Sequence, residues 1–250
     1  MSGWTAQDLM TVSSSRLLDD GKVVFAGVGL PVLAAMLARS LHAPTLTIAL
    51  EGGIIGPDLA PGSLPISTNE MRGARRAQYL TDITDVFLLA QRGYFDYGFL
   101  GAAQVDPFGN INSSIIGDPD SPEVRLPGTG GANDIASLCS ELVIVTTHER
   151  RRFVERVDFV TSPGNLDGGT SRRDAGLVFG GVSTVVTDLA IFDFKGEAGR
   201  MRLVGLQPGA TMDQVADATG FPFESTDEVR AVAPPTEREI EILRLLDPAG

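Results

Sequence analysis

Apolar positions along the chain follow two patterns that take turns: stripes with a spacing of three to four, and short unbroken runs. Thr5 suits the N-cap of a predicted helix that carries Leu9, Val12, Leu17 and Leu18 and stops near Gly21, after which residues 22–26 form a strand. Gly27 and Gly29 then make a loop. Pro31 fits the first turn of a second helix, with Val32, Leu33, Met36, Leu37 and Leu41 on its apolar stripe and Pro44 closing it. Residues 45–50 are apolar or β-branched throughout, the pattern of a parallel strand covered on both faces. The opening segment therefore predicts a βαβ unit.

Gly- and Pro-rich sequence from 52 to 67 reads as a loop, and helical periodicity through Ala77, Leu80, Ile83 and Val86 runs to about Arg92. Strands are expected at 95–105, 142–145, 185–194 and 201–206, with turns at 106–109 and 195–199. Two helices finish the chain. One spans 211–219; the other follows Pro234 and Pro235, where Thr236 and Glu239 form a capping box. No internal repeat or low-complexity linker interrupts the alternation. The expected fold is α/β, a largely parallel open sheet with flanking helices, in one domain over residues 1–250.

Composition narrows the function. The 250 residues carry 20 Lys and Arg against 32 Asp and Glu, so 20 − 32 = −12, and 43% are hydrophobic, enough for a substantial core. An acidic chain with no concentrated basic face is not expected to bind nucleic acid. The single cysteine, Cys139, rules out a disulfide within the chain, and with only His42 and His148 beside it no Cys/His zinc set is available, so no metal is expected. The longest uncharged run, 23–38, is too short to span a membrane and contains Gly27, Gly29 and Pro31. Asp8, Asp19 and Asp20 stand where a secretory signal would be basic, so the chain is expected in the cytoplasm. Glycine, at 29 residues, exceeds the roughly 7% average and gathers in loops after strands, where α/β enzymes bind ligands.

Glu51 is the first candidate for chemistry, because an acidic side chain directly follows a buried strand and directly precedes Gly52 and Gly53. Gly27-Val28-Gly29 with an acid about 20 residues on also mimics a dinucleotide fingerprint, but its third small position falls on the bulky Val32. The loop Gly128-Thr129-Gly130-Gly131-Ala132, ahead of a helix with Ile135 and Leu138, offers backbone amides to an oxyanion or phosphate; a plain tight turn explains it equally well. Gln104, Asn110 and Asn112 flank a turn and could orient an acyl group, or simply satisfy a polar hairpin. On a helix, Arg72, Arg75 and Arg76 would share one basic face.

Taken in order, Phe25-Ala26-Gly27-Val28-Gly29-Leu30-Pro31, Glu51-Gly52-Gly53, the segment 101–112, the loop 128–132, the segment 157–164 and the tail 208–221 resemble the β subunit of class I coenzyme A transferases, especially the branch typified by the glutaconate CoA-transferase β subunit. The resemblance implies the CoA-transferase and sugar-phosphate-isomerase type of α/β fold, and an active site shared with a separate, homologous α subunit. It implies an acyl-CoA and a carboxylic acid as substrates, coenzyme A entering as a thioester substrate, and no permanently bound cofactor. Glu51 becomes the nucleophile of a ping-pong reaction; Gly128, Gly130, Gly131 and Ala132 supply oxyanion or CoA contacts; Gly27, Gly29, Gln104, Asn110 and Asn112 line the substrate. Where that family has Glu-Ser-Gly or Ser-Glu-Asn-Gly, this chain has Glu51-Gly52-Gly53. Two further readings stand beside it. One is a CoA-thioester hydrolase of the same fold, of the ring-cleaving type in steroid catabolism, whose members lack the glutamate in this place. The other is a non-catalytic acyl-CoA-binding subunit.

Overall fold

In the computed structural model, which describes residues 3–248, the Thr5 hydroxyl accepts the Asp8 N–H and the Asp8 carboxylate accepts the Thr5 N–H. From this reciprocal cap runs α1 (Ala6–Ser15). It ends well before Gly21. Ser13, Ser14 and Ser15 are poor helix formers, and Leu17 and Leu18 lie in tight turns closed on the carbonyls of Ser14 and Ser15. The chain continues through β1 (Val23–Phe25), α2 (Leu30–Leu41), β2 (Thr47–Leu50), β3 (Ile54–Ile55), β4 (Tyr79–Leu80), α3 (Ile83–Gln91) and β5 (Tyr97–Leu100). Residues up to Phe99, joined by those from Pro234 on, make one compact unit, and Leu100–Ala233 make a second.

In the first unit the strand order is β5-β1-β2-β3-β4, parallel for β5-β1 and β1-β2, antiparallel for the rest. The βαβ unit is present, with Ile48, Ala49 and Leu50 fully buried. Two expectations change. The segment 52–67 opens with β3 rather than continuing as a loop, because Gly53 lets the chain fold straight back on β2. Ala77 and Leu80 are not helical: Tyr79 and Leu80 pair with Ile55 and Ile54, and α3 starts only after Asp82, whose carboxylate accepts the Asp85 N–H as its N-cap.

The C-terminal helix (Glu237–Leu246) packs with α1 and α2 and starts from the expected Thr236/Glu239 capping box. Each N-capping acid also takes an arginine from the other helix of the pair, Arg244 within the C-terminal helix and Arg16 at the C-cap of α1. Asp8 accepts two bonds from Arg244 at 2.9 and 2.6 Å, and Glu239 accepts two from Arg16 at 2.8 and 2.7 Å.

The second unit holds two short hairpins, β6 (Gln104–Val105) with β7 (Ile111–Asn112) and β8 (Ile115–Asp118) with β9 (Ser121–Arg125), then α4 (Ala132–Leu138) and β10 (Glu141–Val145). After α5 (Ser171–Asp174) follow β11 (Val182–Val186), β12 (Ala190–Asp193), β13 (Arg202–Leu206), α6 (Met212–Ala218) and β14 (Glu224–Ala231). Its sheet runs β14-β13-β12-β11-β10, parallel at both ends and antiparallel between. The single strand expected over 185–194 is the end of one strand and the whole of the next. Thr187 breaks it, its hydroxyl accepting the N–H groups of Leu189 and Ala190 in a tight turn. The strand expected over 95–105 likewise breaks at 101–103, and β14, almost entirely polar and exposed, has no apolar pattern to announce it. Both units alternate helices and strands as an α/β fold. Among the described residues no helix is long and apolar enough to cross a membrane.

Candidate active site

Glu51 sits in the tight turn that joins β2 to β3. Leu50 and Ile54 pair across it, Gly53 N–H donates to the Leu50 carbonyl at 3.1 Å, and Gly53 has φ +97°, which a residue with a side chain resists. Gly52 is required for another reason. A Cβ there would meet the backbone of Thr68, 2.7 Å from its carbonyl oxygen, and would also strike Asn69. The departure from Glu-Ser-Gly or Glu-Asn-Gly is thus matched by a neighbouring segment filling the space a side chain would need.

The Glu51 side chain is half-buried, and its carboxylate has no hydrogen-bond or ion-pair partner among the described residues. Beside it runs β1, in register through Phe25 and Ala49, so that Gly27 leaves β1 level with Glu51 leaving β2. Nothing lies within 4 Å of where a Cβ on Gly27 or Gly29 would stand, and Gly29, at φ +81°, is the uncapped N-cap of α2. The first unit therefore assembles an unpaired carboxylate, open backbone beside it and the positive end of a helix. That combination suits a nucleophile that must meet a bulky acyl group and then bear, transiently, no charge.

The remaining candidates lie in the second unit, in two linked clusters. Gln104 and Asn112 are buried; Asn112 donates to the Gln104 side-chain oxygen at 2.7 Å and to the Ile115 carbonyl at 2.6 Å, while Gln104 donates to Asp158 at 2.9 Å. Asn110, also buried, donates to Asp106 and the Leu166 carbonyl and accepts the N–H groups of Gly164 and Leu166. Gln104 and Asn110 tie Asp158 and Gly164 to the β6–β7 hairpin, while Asn112 spends its side chain inside the hairpin and on the turn that follows it, accepting the N–H groups of Ser114 and Ile115. Burial pushes the Asp106 carboxyl up from 3.8 to about 6, against the hydrogen bonds it accepts from Asn110 and Phe108.

In the loop 128–132 the Gly128 N–H is taken by the Ser113 carbonyl and the Ala132 N–H by the Thr129 carbonyl. The N–H groups of Gly130 and Gly131 have no partner among the described residues, and the space beside Gly130, at φ +47°, is open. The two expected donors that stay available are these. Asn133 ties the loop to Thr161, whose hydroxyl in turn meets Ser113 and Ser114.

Sequence reasoning missed Arg172, which holds this arrangement together. Its buried guanidinium donates to the carbonyls of Pro163, Gly164, Ala136 and Phe179, so one side chain joins the segment 157–164 to α4. Burial lowers its pKa from the ordinary arginine value. Nothing in Ser171-Arg172-Arg173-Asp174 distinguishes it from its exposed neighbour Arg173. His148, one of the two histidines that offer no zinc set, is buried against Phe153 with both ring nitrogens on threonine hydroxyls, Thr187 and Thr219, and burial lowers its pKa from 6.5 to about 4. The arginine face expected at 72–76 does not form on a helix: a short 3-10 turn, Met71–Ala74, gives way to extended backbone at Arg75. Among the described residues no three His, Cys, Asp or Glu side chains converge to hold a metal.

A family model described as Coenzyme A transferase matches residues 8–218. The chain is 40% identical over 248 residues, 99% of its length and 95% of the relative's, to the β subunit of 3-oxoadipate CoA-transferase from Pseudomonas knackmussii. The crystal structure of glutaconate coenzyme A-transferase from Acidaminococcus fermentans superposes with a TM-score of 0.92 at 31% identity, covering 99% of this chain and 96% of that one. A cholesterol ring-cleaving hydrolase IpdB subunit of Rhodococcus jostii is 28% identical over 237 residues, 90% of this chain and 88% of the relative.

Proposed function

Because the chain belongs to the coenzyme A transferase family, we propose that it is the β subunit of an enzyme that moves coenzyme A between an acyl-CoA and a carboxylic acid through Glu51. The observation that carries this reading is the Glu51 carboxylate itself, unpaired and half-buried, on a turn that Gly52 and Gly53 hold beside open backbone.

The Glu51 carboxylate attacks the thioester carbonyl, the C–S bond breaks, and an acyl-glutamyl anhydride forms as CoA thiolate leaves. The thiolate attacks the glutamyl carbonyl of the anhydride, which releases the donor carboxylate and leaves a glutamyl-CoA thioester. The acceptor carboxylate then attacks that thioester and the same two steps run in reverse, regenerating Glu51 with no net proton change. Binding energy from the long CoA arm keeps the thiolate from escaping between steps. The loop 128–132 serves in this reading as the donor of N–H groups to the oxyanion, through Gly130 and Gly131, each worth a few kcal/mol where preorganised. Gln104, Asn110 and Asn112 act by positioning. The enzyme works as a single β-subunit domain over residues 1–250, with a homologous α subunit, in the cytoplasm, and without a resident cofactor.

Glu51→Ala tests it. Transfer by the co-expressed complex should fall by at least about a thousandfold while the melting temperature stays within a degree or two. Turnover retained in that variant contradicts the assignment. Likeness to the ring-cleaving hydrolase subunit favours one second reading, hydrolysis of an acyl-CoA with Glu51 as general base. Steady release of CoA with no acceptor acid present separates it from transfer, which requires the acceptor.

A further inference from the structure

The turn that carries Glu51 is gripped at Gly53 by the residue that joins β4 to α3. Thr81 donates its N–H to the Gly53 carbonyl at 2.8 Å, and a Cβ on Gly53 would collide with the Thr81 carbonyl and stand 2.9 Å from the Asp82 nitrogen. This contact continues the pairing of Ile55 with Tyr79 and of Ile54 with Leu80 up to the turn itself. The Thr81 hydroxyl is spent on α3. It donates to the Asp85 carboxylate at 2.6 Å, and the Asp85 N–H is taken in turn by the Asp82 carboxylate at 3.0 Å. One residue thus bonds to the turn through its backbone and to the first turn of a helix through its side chain.

α3 carries this tie across to the other side of the candidate site. Its Phe87 stacks on Phe25 with ring centroids 5.9 Å apart, and its Val86 and Ala90 are buried. Phe25 closes β1 just ahead of Gly27, where the open backbone begins level with Glu51. The same helix therefore meets β1 through Phe87 and the β2–β3 turn through Thr81. Gly52 and Gly53 lend the turn little stiffness of their own, so contacts from outside it decide where the carboxylate stands.

We propose that Thr81 is a positioning residue for Glu51: it fastens the turn to α3 and so fixes the carboxylate relative to the open backbone at Gly27 and Gly29, with the bond from its hydroxyl to Asp85 as the fastening. The inference rests on the transferase reading and adds to it a residue that sets the geometry of attack. Attack is steeply sensitive to that geometry, a displacement of about 1 Å costing on the order of a hundredfold.

Thr81→Val tests this, because it keeps the branched shape and the backbone N–H and removes only the hydroxyl. The readout is the single-turnover rate at which acyl-CoA converts Glu51 to the glutamyl-CoA thioester in the co-expressed complex, followed by rapid quench and borohydride trapping. That rate should fall roughly tenfold, while the acyl-CoA concentration giving half the maximal rate stays within about twofold, because the substrate is bound elsewhere. The melting temperature should move by no more than a few degrees, since the lost hydrogen bond is exposed. Thr81→Ser should recover most of the rate. Asp85→Ala should reproduce the loss, and T81V/D85A should lose no more than either single variant, as expected for two ends of one bond. An unchanged rate in both single variants overturns the proposal, as do additive losses, a loss that serine does not recover, or weaker acyl-CoA binding at an unchanged maximal rate. No trapped thioester in the unmodified complex defeats the transferase reading instead, and this inference falls with it.

Discussion

At Glu51 the carboxylate and the backbone beneath it answer to different residues. The carboxylate is kept free by the absence of any partner among the described residues, whereas the backbone is held by what surrounds Gly52 and Gly53. Gly52→Ser, which builds the Glu-Ser-Gly order that the resemblance led one to expect, should therefore cost about 1–3 kcal/mol, because its Cβ needs space that Thr68 and Asn69 occupy. A thermal melt reads this, and an unchanged melting temperature contradicts it. Glu51 was legible in the sequence because a buried run, an acid and two glycines are contiguous. The reason for Gly52 was not, since it comes from residues sixteen and seventeen positions along that only the folded loop brings back. Arg172 was illegible for a similar cause: its partners are four backbone carbonyls, which leave no mark in the side-chain pattern.

Among elements, the three helices that open on a reciprocal threonine cap had legible starts, whereas α3, capped by Asp82 alone, did not. α1, α6 and the C-terminal helix each start at a threonine three residues before an acid or glutamine, and each cap is present. Elements defined by partners were harder to find, as β4 and β14 show, where pairing with a neighbour decides and composition is silent. The brace between the segment 157–164 and α4 is an element-scale feature of the same kind. Arg172→Met should lower stability by at least about 3 kcal/mol, because it removes several hydrogen bonds to a charged group and leaves buried carbonyls bare. Arg173→Met, next along and exposed, should leave it nearly unchanged. Equal melting temperatures for the two variants would contradict a bracing role.

For the whole molecule, two buried groups give stability opposite dependences on pH. His148 titrates near 4 in the folded chain against an ordinary 6.5, so the unfolded chain binds its proton more readily and stability is lost as pH falls from 6.5 towards 4. Asp106 titrates near 6 against an ordinary 3.8, so the folded chain holds its proton and stability is lost as pH rises from 3.8 towards 6. Each effect is on the order of a few kcal/mol, and between pH 4 and 6 they offset. Asp106→Asn removes one of them. Its unfolding free energy, followed by denaturant titration, should rise with pH between 4 and 6 more steeply than that of the unmodified chain, whatever its absolute value. An unaltered slope contradicts the account of Asp106.

The claim that joins these scales is that Glu51 carries coenzyme A covalently. The most direct measurement is the mass of the Glu51 peptide after the co-expressed complex is incubated with a panel of acyl-CoAs and treated with borohydride. A glutamyl-CoA thioester predicts Glu51 reduced to the primary alcohol, only when acyl-CoA was present and not after Glu51→Ala. An intact glutamate under conditions where the complex is turning over its substrate contradicts the account.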